Sequence, residues 1–261
     1  MSALARNARV VRALGMRSVR QTFRRPQLMA PIVVFPTLLL AIQTGGAGSA
    51  VELPGFPPVQ SFLQFMLAGA MMQSLMLAGN SGGIALAVDL EMGFTDRLFT
   101  APIPRFAIVL GRLAGTAALG LLASLWFLAI GLLFGAEIHS GLAGALIAVF
   151  LVTATAMAVG GIGAAIALRT GSASVVQGLF PLVLVILFLS TAFFPEGLMI
   201  EPARTIAAYN PLSFVVEGIR NPIIADVDGG ELLEAVLAIA GIVALGLALS
   251  ARALRHRLRV G

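Results

Sequence analysis

Six stretches of this 261-residue sequence are apolar over roughly the length a bilayer demands, which decides the solvent in which the chain folds. A spanning helix needs about 20 mostly apolar residues. The stretches are Leu28–Gln43, Phe62–Val88, Phe106–Phe134, Leu142–Leu168, Val175–Phe194 and Leu232–Ala251. The first is short and contains Pro31 and Pro36, so the sequence predicts a kinked helix begun near Pro26. The second, third and fourth exceed the minimum and can tilt or run past the hydrocarbon boundary. The expected fold is an all-α integral membrane protein of six transmembrane helices over residues 28–251. No room remains for a soluble catalytic domain.

Composition narrows the chemistry. Hydrophobic residues make up 59% of the chain and mean hydropathy is +0.99. Charged residues make up 11%, less than half the usual share of about 25%. With no cysteine, disulfides and thiolate metal sites are excluded. All 17 basic residues are arginine, so a Walker-type phosphate loop and Schiff-base chemistry are excluded too. Two histidines, His139 and His256, are too few for a His-rich metal site. The expectation is therefore a chain with no catalytic residues, no metal and no cofactor of its own. A sequence pI near 11.3 points, beside such apolar runs, to a membrane surface rather than to nucleic acid.

Arginine sets the expected orientation. Residues 1–27 hold Arg6, Arg9, Arg12, Arg17, Arg20, Arg24 and Arg25 and no acid, and do not read as a cleaved signal peptide. With the N-terminus in the cytoplasm, fifteen arginines fall inside, and only Arg204 and Arg220 fall outside. The positive-inside rule then places both termini in the cytoplasm of a multi-pass cell-membrane protein, with residues 252–261 as a basic tail. Six of the N-terminal arginines occupy one helical arc, opposite Leu4, Val11 and Leu14. This reads as an amphipathic helix suited to an anionic leaflet, although charge-directed topology explains the arginines equally well.

The connection at 88–105 mixes both signs and stops at Pro102 and Pro104. Gly93 and these prolines bracket a piece long enough for a two-turn helix, whose Phe94, Leu98 and Phe99 need cover. A docked partner or the membrane interface would each supply it. The pattern Glu91-x-Gly93-x-x-Asp96-Arg97-Leu98-x-x-x-Pro102-Ile103-x-Arg105, followed by Leu110-Gly111-Arg112, resembles the cytoplasmic loop of type-2 ATP-binding-cassette (ABC) permeases. The similarity is greatest to drug-exporter permeases of the daunorubicin-resistance type. A second block, Tyr209-Asn210-Pro211-Leu212-Ser213-Phe214-x-x-Glu217-Gly218-Ile219-Arg220, resembles that family's Asn-Pro segment before the last span. Absence of lysine departs from the family and leaves the subfamily open.

The resemblance implies a permease subunit that moves a hydrophobic compound, such as a drug, lipid or lipid-like metabolite. ATP and magnesium would be handled by a separate soluble ABC ATPase docking on 88–105. It further implies two permease copies, expected as a homodimer contacting through the first and fifth spans. Residues 193–231, rich in proline, read as extracellular re-entrant helices capping the pathway, or else as a loop lying on headgroups. Within the spans, Gln73 and Asn80 share one face, as expected of a pathway or of interhelical hydrogen bonds. Gly79-x-x-x-Gly83, Gly111-x-x-x-Gly115 and Gly131-x-x-x-Gly135 would permit close helix approach. No ionisable residue lies clearly mid-span, which argues against an ion-coupled carrier. A small secondary carrier and a membrane scaffold without transport activity remain the other readings of the residues alone.

Overall fold

The structure, a computed structural model, describes residues 3–24, 26–93 and 105–260. The described residues form ten α-helices and no strand. They are α1 (Ala3–Phe23), α2 (Pro26–Ala47), α3 (Phe62–Glu91), α4 (Arg105–Leu133), α5 (Gly141–Thr170), α6 (Ala173–Gly178), α7 (Phe180–Phe188), α8 (Ala203–Tyr209), α9 (Pro211–Ile224) and α10 (Gly229–Val260). Five described stretches are long and apolar enough to cross a membrane: Met29–Glu52, Phe62–Glu91, Val109–Leu133, Gly141–Thr170 and Gly229–Ala253. The chain is thus an all-helical integral membrane protein.

α3 is the hub, packed by α2, α4, α5, α6, α7 and α9. A helix apolar on every side must be buried on every side, and Phe65, Met71, Met72, Leu75 and Met76 are fully enclosed. Flexible methionines suit a surface meeting so many neighbours at different angles. The helix starts where Ser61 Oγ accepts the Gln64 backbone N–H at 3.2 Å. It runs to Glu91, so Asp89 and Glu91, read from sequence as loop residues, are helical.

α2 carries Pro31 and Pro36 and still forms one helix. Pro36 has no N–H to give the carbonyl of Ile32. That carbonyl instead accepts the hydroxyl of Ser74 on α3. One residue on, Thr37 Oγ1 donates to the Val33 carbonyl at 2.6 Å. Hydroxyls satisfying carbonyls at a proline site are what a helix needs where no water can help.

The expected fifth span, Val175–Phe194, is divided. α6 ends at Gly178 and α7 begins at Phe180, with Leu179 between them. Glycine is the poorest non-proline helix former, and Pro181 withholds a backbone donor from the preceding turn. Apolar length alone does not register either effect.

α1 packs along α4 rather than resting on lipid alone. A Cβ on Gly111 would come within 2.5 Å of Leu14 Cβ, so the two helices meet at a distance only glycine allows. Ser18 Oγ, buried, donates to the Arg112 carbonyl at 3.2 Å. Arg9, Arg12, Arg17, Arg20 and Arg24 stay on the exposed side. α3 and α5 also meet at glycine, where a Cβ on Gly83 would lie 2.8 Å from the Gly163 backbone. The third glycine pair divides: Gly131 packs on Leu67, whereas Gly135 faces open space at φ +82°.

Candidate functional site

The Asn-Pro block folds into a helix wedged among α3, α5 and α10. α8 ends at Tyr209 and Asn210 restarts the chain as a cap, its Oδ1 accepting the Leu212 N–H at 2.9 Å. Pro211 takes the first helical position, where its missing N–H costs nothing. Leu212, Val215, Val216, Ile219 and Ile223 repeat at helical spacing and are buried together. Asn210 Nδ2 donates to the Ile186 carbonyl at 2.7 Å, tying the cap to α7.

The far end of α9 presents carbonyls with no helical donor left. The α4–α5 turn supplies them. His139 N–H reaches the Ile223 carbonyl at 2.9 Å and Ser140 N–H reaches that of Pro222 at 3.2 Å. Ser140 Oγ takes the Ala225 carbonyl at 2.9 Å. Gln64 Nε2 bridges the carbonyls of Glu137, at 2.8 Å, and Ile223, at 3.2 Å. The chain at 135–141 therefore forms a socket for α9.

Arg220 is the largest fully buried side chain among the described residues, 2% exposed. Sequence read it as part of an external segment; the fold buries its side chain within the protein. Its Nη1 donates to Glu217 Oε1 at 2.7 Å, one helical turn away. Nη2 is shared between the carbonyls of Thr191, at 2.8 Å, and Ala192, at 3.1 Å. Nε reaches the Phe65 carbonyl at 3.3 Å, and the guanidinium sits 4.0 Å over the Phe65 ring. Thr191 Oγ1 donates to Glu217, and Ser213 Oγ accepts the Thr191 N–H at 3.2 Å. A planar fork of donors is what lets one side chain hold three carbonyls and a carboxylate at once. Beside it opens a cavity of about 530 Å³ lined by Phe56, Phe65, Glu196, Glu217 and Glu231.

A second polar cluster lies at the other end of α3. Asp89 and Arg112 form a buried ion pair joining α3 to α4. Arg112 Nη2 also donates to the Ala85 carbonyl at 2.6 Å, and Nη1 to Gln21 Oε1 of α1 at 3.2 Å. Glu91 Oε1 accepts the Ala173 N–H at 2.8 Å, so a carboxylate stands at the start of α6. Three helices are thus fastened to the end of α3 by two acids two residues apart.

Of the coupling-loop residues read from sequence, Phe94, Asp96, Arg97, Leu98, Phe99 and Pro102 lie outside the described residues, as does the side chain of Arg105. Glu91 and Gly93 lie within them, with Gly93 at φ +67° just past α3. Gln73 is 2% exposed in the core, while Asn80 lies at the edge of a cleft. Sequence reasoning missed Thr191 and Phe65 as partners of Arg220, and the Asp89–Arg112 pair. One signal for the pair was available: Arg112 stands inside an otherwise apolar run and therefore needs a counter-charge. No group of three or more histidine or acidic residues among the described residues could hold a metal ion.

Residues 9–224 match the ABC-2 type transporter family. The chain is 29% identical over 215 residues to ycf38, named as a transport permease, from Porphyra purpurea, covering 80% of this chain and 72% of that one. The Pyropia yezoensis protein of the same name is 28% identical over 214 residues, with the same coverages. The daunorubicin resistance ABC transporter permease protein DrrB1 of Streptomyces coeruleorubidus is 25% identical over 233 residues, covering 89% of this chain and 81% of its own. A membrane-crossing helical chain, with both sequence blocks in order and a family match over most of its length, belongs to the ABC-2 type transporter permeases.

Proposed function

We propose that this chain is the membrane-spanning permease of an ATP-driven exporter. It moves a hydrophobic compound, such as a drug, lipid or lipid-like metabolite, across the cell membrane. A separate soluble ABC ATPase binds and hydrolyses the ATP with magnesium. The observation that carries the reading is family membership over residues 9–224 in a chain without the lysine a phosphate-binding loop needs. Energy must then arrive mechanically through a cytoplasmic contact, and 91–105 is the candidate.

The geometry around that segment supports the role. It departs from α3 beside Glu91, which meets α6, and rejoins α4 seven residues before Arg112, which meets α1 and α3. A push on it is delivered to three helices together. In the same reading α6 and α7 complete a sixth crossing despite their break. At about 1.5 Å per residue, Ala173–Phe188 covers about 24 Å, and the turns from Leu189 to Phe194 carry the chain onward. Both termini are then cytoplasmic, and α8 and α9 dip back from the outer side, with Asn210, Pro211, Glu217 and Arg220 seating them. α2 and α7 leave Val34, Phe35, Leu38, Leu182, Val185 and Phe188 exposed, an apolar surface that a second copy can cover.

The test is co-purification with candidate ATPases. Replacing Leu98 and Phe99 together by alanine should remove about 2–4 kcal/mol of docking energy if both are buried anchors. That corresponds to a loss of tenfold to nearly a thousandfold in ATPase affinity. A double mutant that inserts normally, binds its ATPase as tightly as wild type and still transports would refute the assignment.

A further inference from the structure

A cleft of about 280 Å³ lies further along α3 from the Arg220 contact at Phe65, between Met76 and Asn80 of α3 and walls from α5, α6, α7, α9 and α10. Its lining includes Met76, Ile162, Val176, Leu179 and Ile242, and its one polar side chain is Asn80. Leu179, at the break between α6 and α7, forms part of the wall. No described residue hydrogen-bonds the Asn80 amide. That amide offers two donors and an acceptor toward an otherwise apolar space, between helices apolar enough to cross a membrane. An amide facing hydrocarbon is a costly arrangement, and a bound polar group relieves it.

We propose that this cleft is a binding site for a neutral single-chain amphiphile, its hydrogen-bonding group on Asn80 and its chain against the apolar wall. No charged residue lines the cleft, so an ion or a charged headgroup finds no counter-charge there. Size points the same way. The volume exceeds the roughly 150 Å³ that holds a benzene-sized guest and falls short of the roughly 300–1,000 Å³ of drug-sized sites. A single alkyl chain fits a volume of this size. The named walls all come from this chain, so the cleft can be probed without ATP or an ATPase. It therefore stands or falls independently of the exporter reading.

The test uses the full-length chain in phosphatidylcholine nanodiscs, without ATP or ATPase. A dodecanol carrying a diazirine is photo-crosslinked beside the matching dodecane, and labelled peptides are mapped by mass spectrometry. The expected result is saturable labelling of the α6–α7 and α10 walls, with the alcohol favoured over the alkane about two- to tenfold, the range of one hydrogen bond. Asn80→Leu should erase that preference while the alkane still labels, and Ile242→Trp, which fills the cleft, should remove both. Equal labelling by alcohol and alkane in the wild type overturns the proposal. So does labelling spread evenly over the lipid-facing helices, which means annular lipid only.

Discussion

Removing the Arg220 guanidinium is the most informative single perturbation of the site. Arg220→Met keeps an unbranched stem of similar girth and deletes every donor. The lost hydrogen bonds run to Glu217, Thr191, Ala192 and Phe65, which lie 3, 29, 28 and 155 residues from Arg220. Thr191 and the Ala192 side chain are enclosed, so their carbonyls have little access to replacement donors. Breaking a buried ion pair from one side costs about 3–5 kcal/mol, chiefly because the remaining polar groups stay buried and unpaired. Glu217 is different: its side chain is 38% exposed, so water can take over part of its role. Glu217→Gln, which retains an oxygen for Thr191, should cost about 1 kcal/mol. The assay is equilibrium unfolding in mixed micelles titrated with dodecyl sulfate, with limited proteolysis at 190–210 as a local readout. Arg220→Met should lower stability several times more than Glu217→Gln and expose the turn after α7 to cleavage first. Arg220→Lys should recover only part of the loss, since an ammonium cannot reproduce the planar fork. An Arg220→Met protein within 1 kcal/mol of wild type, or a Glu217→Gln protein equally damaged, would refute the argument.

Asp89→Leu should cost about 3–5 kcal/mol by removing the buried carboxylate that faces Arg112, and adding Arg112→Leu should restore much of it; additive losses in the double mutant would show that the pair is not the reason. Gly83→Leu should block the approach of α3 to α5 and prevent stable folding, whereas Gly135→Asn, with open space around it and a side chain that tolerates the left-handed φ of +82°, should leave the bundle assembled at a small cost; a stable Gly83→Leu protein counts against the close contact. Single cysteines introduced into this naturally cysteine-free chain should react with an impermeant reagent at positions 52, 137 and 204 and be protected at 97 and 169; external labelling at 97 would overturn the proposed orientation.

Much of the architecture is legible in the amino-acid sequence, because a spanning helix is announced by a local sum. Apolar length and arginine placement are properties of contiguous residues, and both survive wherever the neighbours lie. The same holds for Asn210-Pro211, a cap and first-turn pair whose meaning is set within four residues. Family resemblance carried by two short blocks belongs to this class as well.

What only the tertiary structure decided is which groups meet. Arg220 finds carbonyls 28, 29 and 155 residues away, and nothing in the spacing of its own helix names them. Arg112, set in an apolar run, calls for a counter-charge, but Asp89 is not singled out as its partner until α3 and α4 are laid side by side. Ser74 is an unremarked hydroxyl until Pro36 leaves the Ile32 carbonyl of α2 in need of a donor. The division of the fifth apolar stretch arises where Gly178 and Pro181 outweigh an unbroken hydrophobic run, an effect hidden from any count of apolar residues. Burial in a bilayer follows from sums along the chain, whereas polar satisfaction within it depends on pairs brought together from different helices.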